Sequence, residues 1–227
     1  MLEPLERLLR SGPRMWLRRG ERFFELRSSD FDSETDAAIV RTKADHLISW
    51  MSGYCRLMFG LNGRIRLRGV KREEEGKPPT QFLFIDELIS DGWVGVPQLI
   101  LEGGSQPSKG ILETTLALVS SGNSDVVERV LRLWDLDASF RNLTPILEII
   151  GKDIGARAGI AKRGWASKAK VDGIFRTAQS PSVLGDKARH GIEKGAPPSN
   201  PISLEEARET TEKIIRAWVA EKSTAET

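Results

Sequence analysis

Between Val40 and Met58 the apolar residues Val40, Ala44, Leu47, Ile48, Met51, Cys55 and Met58 recur at helical spacing, while Lys43, Asp45 and Arg56 fall elsewhere on the wheel. This pattern predicts one long amphipathic helix, and such a helix is stable only if another element covers its apolar stripe. The chain must therefore supply a matching apolar face. A polar stretch over 28–33 offers residues able to cap the helix start. Cys55 lies on the apolar stripe, so it reads as a small core hydrophobe rather than a nucleophile.

Alternation points to strands around this helix. Residues 23–26 read as one strand, and the alternating charged and apolar residues of 64–70 as another with one solvated face. Segments 81–85 and 93–96 read as further strands, separated by turn-rich sequence, so a small antiparallel sheet is expected. The basic residues Arg7, Arg10, Arg14, Arg18 and Arg19, interrupted by Gly12 and Pro13, suggest a short first helix and a turn. Such a run, like the Arg64, Arg66 and Arg68 side of its strand, fits either a solvated face or a phosphate-contacting surface.

From 111 onward helices dominate. One is expected over 111–119, a second carries the apolar face Val127, Val130, Leu131 and Trp134, and Thr144-Pro145 matches the start of a third. Ile146, Leu147, Ile149 and Ile150 make that third helix apolar enough to be central. Ser203 and Glu206 form a capping-box pair before a last helix with the face Leu204, Ala207, Thr211, Ile214, Ile215 and Trp218. The expected fold is thus α+β: an N-terminal part over 1–102 with a small antiparallel sheet and a long helix, a linker over 103–110, a helical bundle over 111–222, and a tail over 223–227.

Composition removes several function classes. With 227 residues, 39% hydrophobic and 29% charged, the chain can bury a substantial core, and its apolar runs are too short to span a membrane. One cysteine permits no internal disulfide, and no Cys/His cluster offers a zinc ligand set. Glycine-rich phosphate loops are missing: the 102–110 segment lacks the P-loop spacing. No metal or other cofactor is expected, and without a basic n-region leading into an apolar stretch the expected location is the cytoplasm.

The chemistry-bearing residues concentrate at 176–191, where Arg176, Asp186, Arg189 and His190 occur together. Histidine exchanges protons near neutral pH, and arginine holds phosphate. The glycine- and proline-rich sequence after His190 places it at a helix end, a position that suits either a general acid or a structural C-terminal cap. Lys162, Arg163, Lys168 and Lys170 precede the segment and Lys187 lies within it, giving a candidate nucleic-acid groove that would otherwise be a solvated helix surface.

The combination of Arg176 in one helix, Arg189-His190-Gly191 at a helix end, and a last amphipathic helix beginning Ser203-Leu204-Glu205-Glu206-Ala207-Arg208 resembles the HEPN class of abortive-infection and toxin proteins. The resemblance covers roughly 111–222. It implies a metal-independent ribonuclease acting on RNA, usually as a homodimer whose interface joins an arginine and a histidine from each protomer. His190 lies fourteen positions after Arg176, so their convergence requires 180–185 to be a loop. On this reading His190 is the acid or base, Arg176 and Arg189 bind the scissile phosphate, and Asp186 orients one of them. The alternative is a noncatalytic interaction or regulatory module that recognises a protein partner. A small-molecule enzyme built on Cys55 or His46 is a third reading, although the spacing of His46 and Trp50 is more simply a packing pair.

Overall fold

The computed structural model describes residues 15–19, 24–60, 63–67, 69–82, 125–193 and 195–225. The first described segment obeys a period of two: Met15 and Leu17 are buried, and Arg18 between Leu17 and Arg19 is exposed. It forms β1 (Met15–Arg19), which pairs antiparallel with β2 (Phe24–Ser28) in a register that sets Met15 opposite Ser28 and Leu17 opposite Leu26. The strand at 15–19 was not anticipated from the sequence, and burial of alternate side chains accounts for it. The expected short first helix, with Arg7, Arg10, Arg14 and the Gly12-Pro13 turn, lies outside the described residues.

The long helix is present as α1 (Ala37–Phe59), but its cap is not in 28–33. Ser28 accepts from the Asp30 amide at the start of a short 3₁₀ turn, and Asp36 performs the capping of α1 by accepting from the Ala38 amide at 2.7 Å. At the other end Gly60, at φ +66°, donates to the Cys55 carbonyl, a left-handed termination that glycine adopts without steric cost.

The expected 64–70 strand shrinks to β3 (Val70–Arg72), paired antiparallel with β4 (Thr80–Phe82). Residues 64–67 form no ladder, because side chains tie this segment elsewhere: the Ile65 amide donates to Ser52 Oγ and Arg64 reaches the Asp135 carbonyl. The expected strand residues 83–85 and 93–96, the 103–110 linker and the 111–119 helix lie outside the described residues. Within the described residues the β structure is two separate two-stranded ladders, and the fold is α+β.

Among the described residues six α-helices follow. Helix α2 (Asp125–Asp135) turns Val127, Val130, Leu131 and Trp134 inward, as their spacing requires, and lies against α1. Helix α3 (Phe140–Asp153) starts earlier than Thr144-Pro145 predicted and carries Pro145 inside. Burial of Phe140 and Leu143 draws the preceding turn into the helix, and Thr144 Oγ1 donates to the Phe140 carbonyl at 2.9 Å. As expected α3 is central, touching α2, the short α4 (Ala158–Lys162), α5 (Lys168–Ala178) and α7 (Leu204–Ala225). Between α5 and α7, α6 (Pro181–Leu184) is a single turn entered through proline.

One continuous core joins Met15 and Leu17 of β1 and the inner face of α1 to the buried residues of α2, α3, α5 and α7. The two sides of the expected linker thus share their apolar interior. Gly53 makes the closest approach possible: a Cβ there would lie 1.9 Å from the Leu131 carbonyl oxygen. Among the described residues no helix is long and apolar enough to cross a membrane.

Candidate nucleic-acid interface

Ser167 opens α5 by accepting from the Lys170 amide at 3.2 Å, and the helix then buries Val171, Ile174, Phe175 and Ala178 against the core. That arrangement leaves Arg176 exposed in the last turn, without a hydrogen bond or ion pair among the described residues. Proline at 181 cannot extend the helix. The chain makes the one-turn α6 and a 3₁₀ turn over Gly185–Lys187, then returns, so that the Arg189 amide donates to the Ala178 carbonyl at 2.7 Å. The carbonyl ending α5 is thereby satisfied, and the backbone at Arg189 lies two residues along the chain from the position bearing Arg176.

His190 follows in irregular backbone and is half-buried. It does not sit at a helix end as expected, because two residues separate it from the preceding 3₁₀ turn and the open carbonyl of α5 is served by its neighbour's amide. Its imidazole has no hydrogen-bond partner among the described residues.

Helix α3 holds the returning segment at two points. Arg141 donates from Nη2 to the Asp186 carbonyl at 2.7 Å and from Nε to the Ala188 carbonyl at 3.2 Å. Two turns further on, Glu148 accepts both arms of the Arg189 guanidinium, at 2.5 and 3.1 Å. The carboxylate beside it raises the Arg189 pKa above its ordinary value. Asp186 contributes its backbone oxygen, whereas its carboxylate is exposed and makes no ion pair among the described residues; the acid that orients Arg189 is Glu148. A third tie comes from Glu193, which accepts from Ser180 Oγ at 2.6 Å and from the Ser182 amide at 3.0 Å, bonds that lower its pKa. Glu148, Arg141 and Glu193 carry no local sequence signal, since each acts across the chain.

The basic run before the segment is largely paired with acids. Arg163 donates from Nε to both carboxylate oxygens of Glu221 at 3.0 and 3.1 Å, Lys168 meets Asp172 at 2.6 Å, and Lys170 meets Glu206 at 3.2 Å. Arg157 lies 3.7 Å from Asp172 and stacks 4.3 Å over the Phe175 ring. Lys162 and Lys187 are exposed and unpaired among the described residues. The remaining early candidates are not brought to this face by any described contact: Arg64 pairs with Asp135 at 3.7 Å, His46 is exposed on α1, and Cys55 is buried, its thiol pushed up to about 12 by loss of solvation.

A second polar cluster lies between α1 and the end of α2. Arg56 Nη1 donates to the carbonyls of Trp134, Asp135 and Leu136, the longest bond being 3.3 Å, and so neutralises the negative end of α2. Burial lowers the Arg56 pKa, and Arg208 and Arg64 nearby add to this while Asp135 opposes it. Buried Ser52 donates to Asp135 Oδ1 at 2.5 Å while accepting from Ile65 at 3.0 Å. The adjoining chamber, lined by Arg56, Trp134, Leu143 and Arg208, is of water size and offers no room for a substrate.

Among the described residues no group of three His, Cys, Asp or Glu side chains is arranged to hold a metal ion. No family model, curated protein or solved structure matches the chain.

Proposed function

We propose that the face containing Arg176, Arg189 and His190 binds and cleaves RNA, and that the protein is a defence- or toxin-type ribonuclease of the cytoplasm acting as a homodimer. The observation that carries this reading is the bond from the Arg189 amide to the Ala178 carbonyl. It supports the reading because it returns the chain after the helical turn Pro181–Leu184 to the end of α5, two residues beyond Arg176. Two further features agree with it: Arg176 and His190 have no described partners, so both are free to meet a ligand.

RNA carries its own nucleophile, the 2′-hydroxyl. His190 takes the proton from that hydroxyl or gives one to the departing 5′-oxygen, and Arg176 and Arg189 hold the phosphate as negative charge gathers on its oxygens. Lys162 and Lys187 attract the strand at longer range, which makes binding fall with added salt.

The pairing of Arg189 with Glu148 favours a second reading, in which 186–193 is a structural strap and the protein a noncatalytic module recognising a protein partner. Cleavage of a labelled RNA oligonucleotide in the presence of a chelator separates the two. The ribonuclease reading expects cleavage that His190→Ala reduces by about a hundredfold or more, with an unchanged circular-dichroism melt. Undiminished cleavage by that variant removes His190 from the reaction, and no cleavage by the unaltered protein favours the module.

A further inference from the structure

The Arg189 guanidinium is held in a fork by a carboxylate, which is the geometry it would offer a phosphate. We infer that Glu148 is an internal competitor for RNA phosphate at Arg189, so that binding exchanges one anion for the other at this guanidinium. The inference rests on the proposed RNA-directed function and adds a control on substrate affinity to it.

Three observations support exchange rather than a fixed tie. Both side chains are open to solvent, at 27% for Arg189 and 46% for Glu148, and pairs of that exposure are weak enough to be displaced. The backbone is held independently of the pair, by the Arg189 amide on Ala178 and by Arg141 on the Asp186 and Ala188 carbonyls. Arg141 is bound to neutral oxygens, so it anchors the segment without presenting a competing anion. Release of Glu148 consequently frees the fork while the segment that carries it stays in place.

The test uses a fluorescent 2′-O-methyl RNA oligonucleotide, which lacks the free hydroxyl needed for self-cleavage, with affinity read by anisotropy at fixed salt. Four full-length proteins are compared: the unaltered chain, Glu148→Gln, Arg189→Gln and the double variant. Glu148→Gln keeps the side-chain shape and removes the competing charge, and it should tighten binding about two- to fivefold. Arg189→Gln should weaken binding, and in its background Glu148→Gln should have no effect. This last comparison separates competition at Arg189 from a general loss of negative charge. Equal tightening in both backgrounds, or none in either, overturns the competition and leaves RNA binding standing. Failure of the unaltered protein and all variants to bind overturns the RNA reading and the competition with it.

Discussion

Gly53→Ala pits two well-defined effects against each other. Gly53 lies within α1, where replacing glycine by alanine normally stabilises a helix by about 1 kcal/mol. The structure predicts the opposite sign. The added methyl would stand 1.9 Å from the Leu131 carbonyl oxygen and 2.7 Å from its carbon, both backbone atoms of α2. Neither can rotate away, so the two helices must separate, and overpacking of this kind costs about 1–3 kcal/mol. Rigid backbone on both sides places the cost at the upper end, and subtracting the propensity gain leaves a net loss of about 2 kcal/mol. For a chain of this size the midpoint of thermal unfolding should fall by about 4–8 °C. Gly173→Ala provides the contrast, because there the new methyl meets the Cδ1 tip of Ile202 at 2.5 Å, a side chain that can turn aside. Differential scanning calorimetry on both variants reads the outcome. A Gly53→Ala protein as stable as the original, or a Gly173→Ala protein that loses as much, would refute the argument that the backbone approach of α1 to α2 is what requires glycine.

Ser52→Ala should destabilise the fold by about 2–4 kcal/mol in urea unfolding, because it strips a partner from the buried Asp135 carboxylate and from the Ile65 amide at once. Cys55 should resist a thiol reagent at pH 8 in the folded protein and react promptly in denaturant. Its folded pKa of about 12 lies above the unfolded value of about 8.5, so its contribution to stability is complete below pH 8.5 and declines as pH rises towards 12. Cys55→Ala should flatten that alkaline decline, as followed by unfolding midpoints across pH 8–11.

The helices were legible where a periodic face had only one way to be buried. Ala44, Leu47, Ile48, Met51, Cys55 and Met58 are buried as their spacing required, while Val40 at the start of the stripe is only half-buried, and Trp218 is buried with its indole nitrogen donating to Asp153 at 2.8 Å. The start of α7 was half legible: Ser203 accepts from the Glu206 amide at 3.1 Å, but the Glu206 carboxylate turns to Lys170. Pro145 misled because a local preference for the first helical turn was outweighed by burial of Phe140 and Leu143 ahead of it. The 64–70 alternation misled for a related reason. Its pattern suits a strand, yet Ser52 and Asp135 claim the Ile65 amide and the Arg64 side chain before a ladder can form.

The candidate interface was legible as a collection of residues, and the distribution of their charge was not. A basic run in sequence suggests a positive groove, but an arginine paired with a carboxylate presents little net positive charge until that partner is displaced. Arg163 is held by Glu221 from 58 positions away and Arg189 by Glu148 from 41, and such pairings leave no trace in local spacing. Arg56 and Arg141 are spent on carbonyl oxygens. What stays uncommitted among the described candidates is Arg176, Lys162, Lys187 and the half-buried His190. Under the proposed function, RNA affinity should therefore follow these few groups and the exchange at Arg189 more closely than the total basic charge of 157–190. The pairs Arg163–Glu221 and Arg189–Glu148, which dilute that charge, join residues far apart in the chain, which is why they could not be read from the sequence alone.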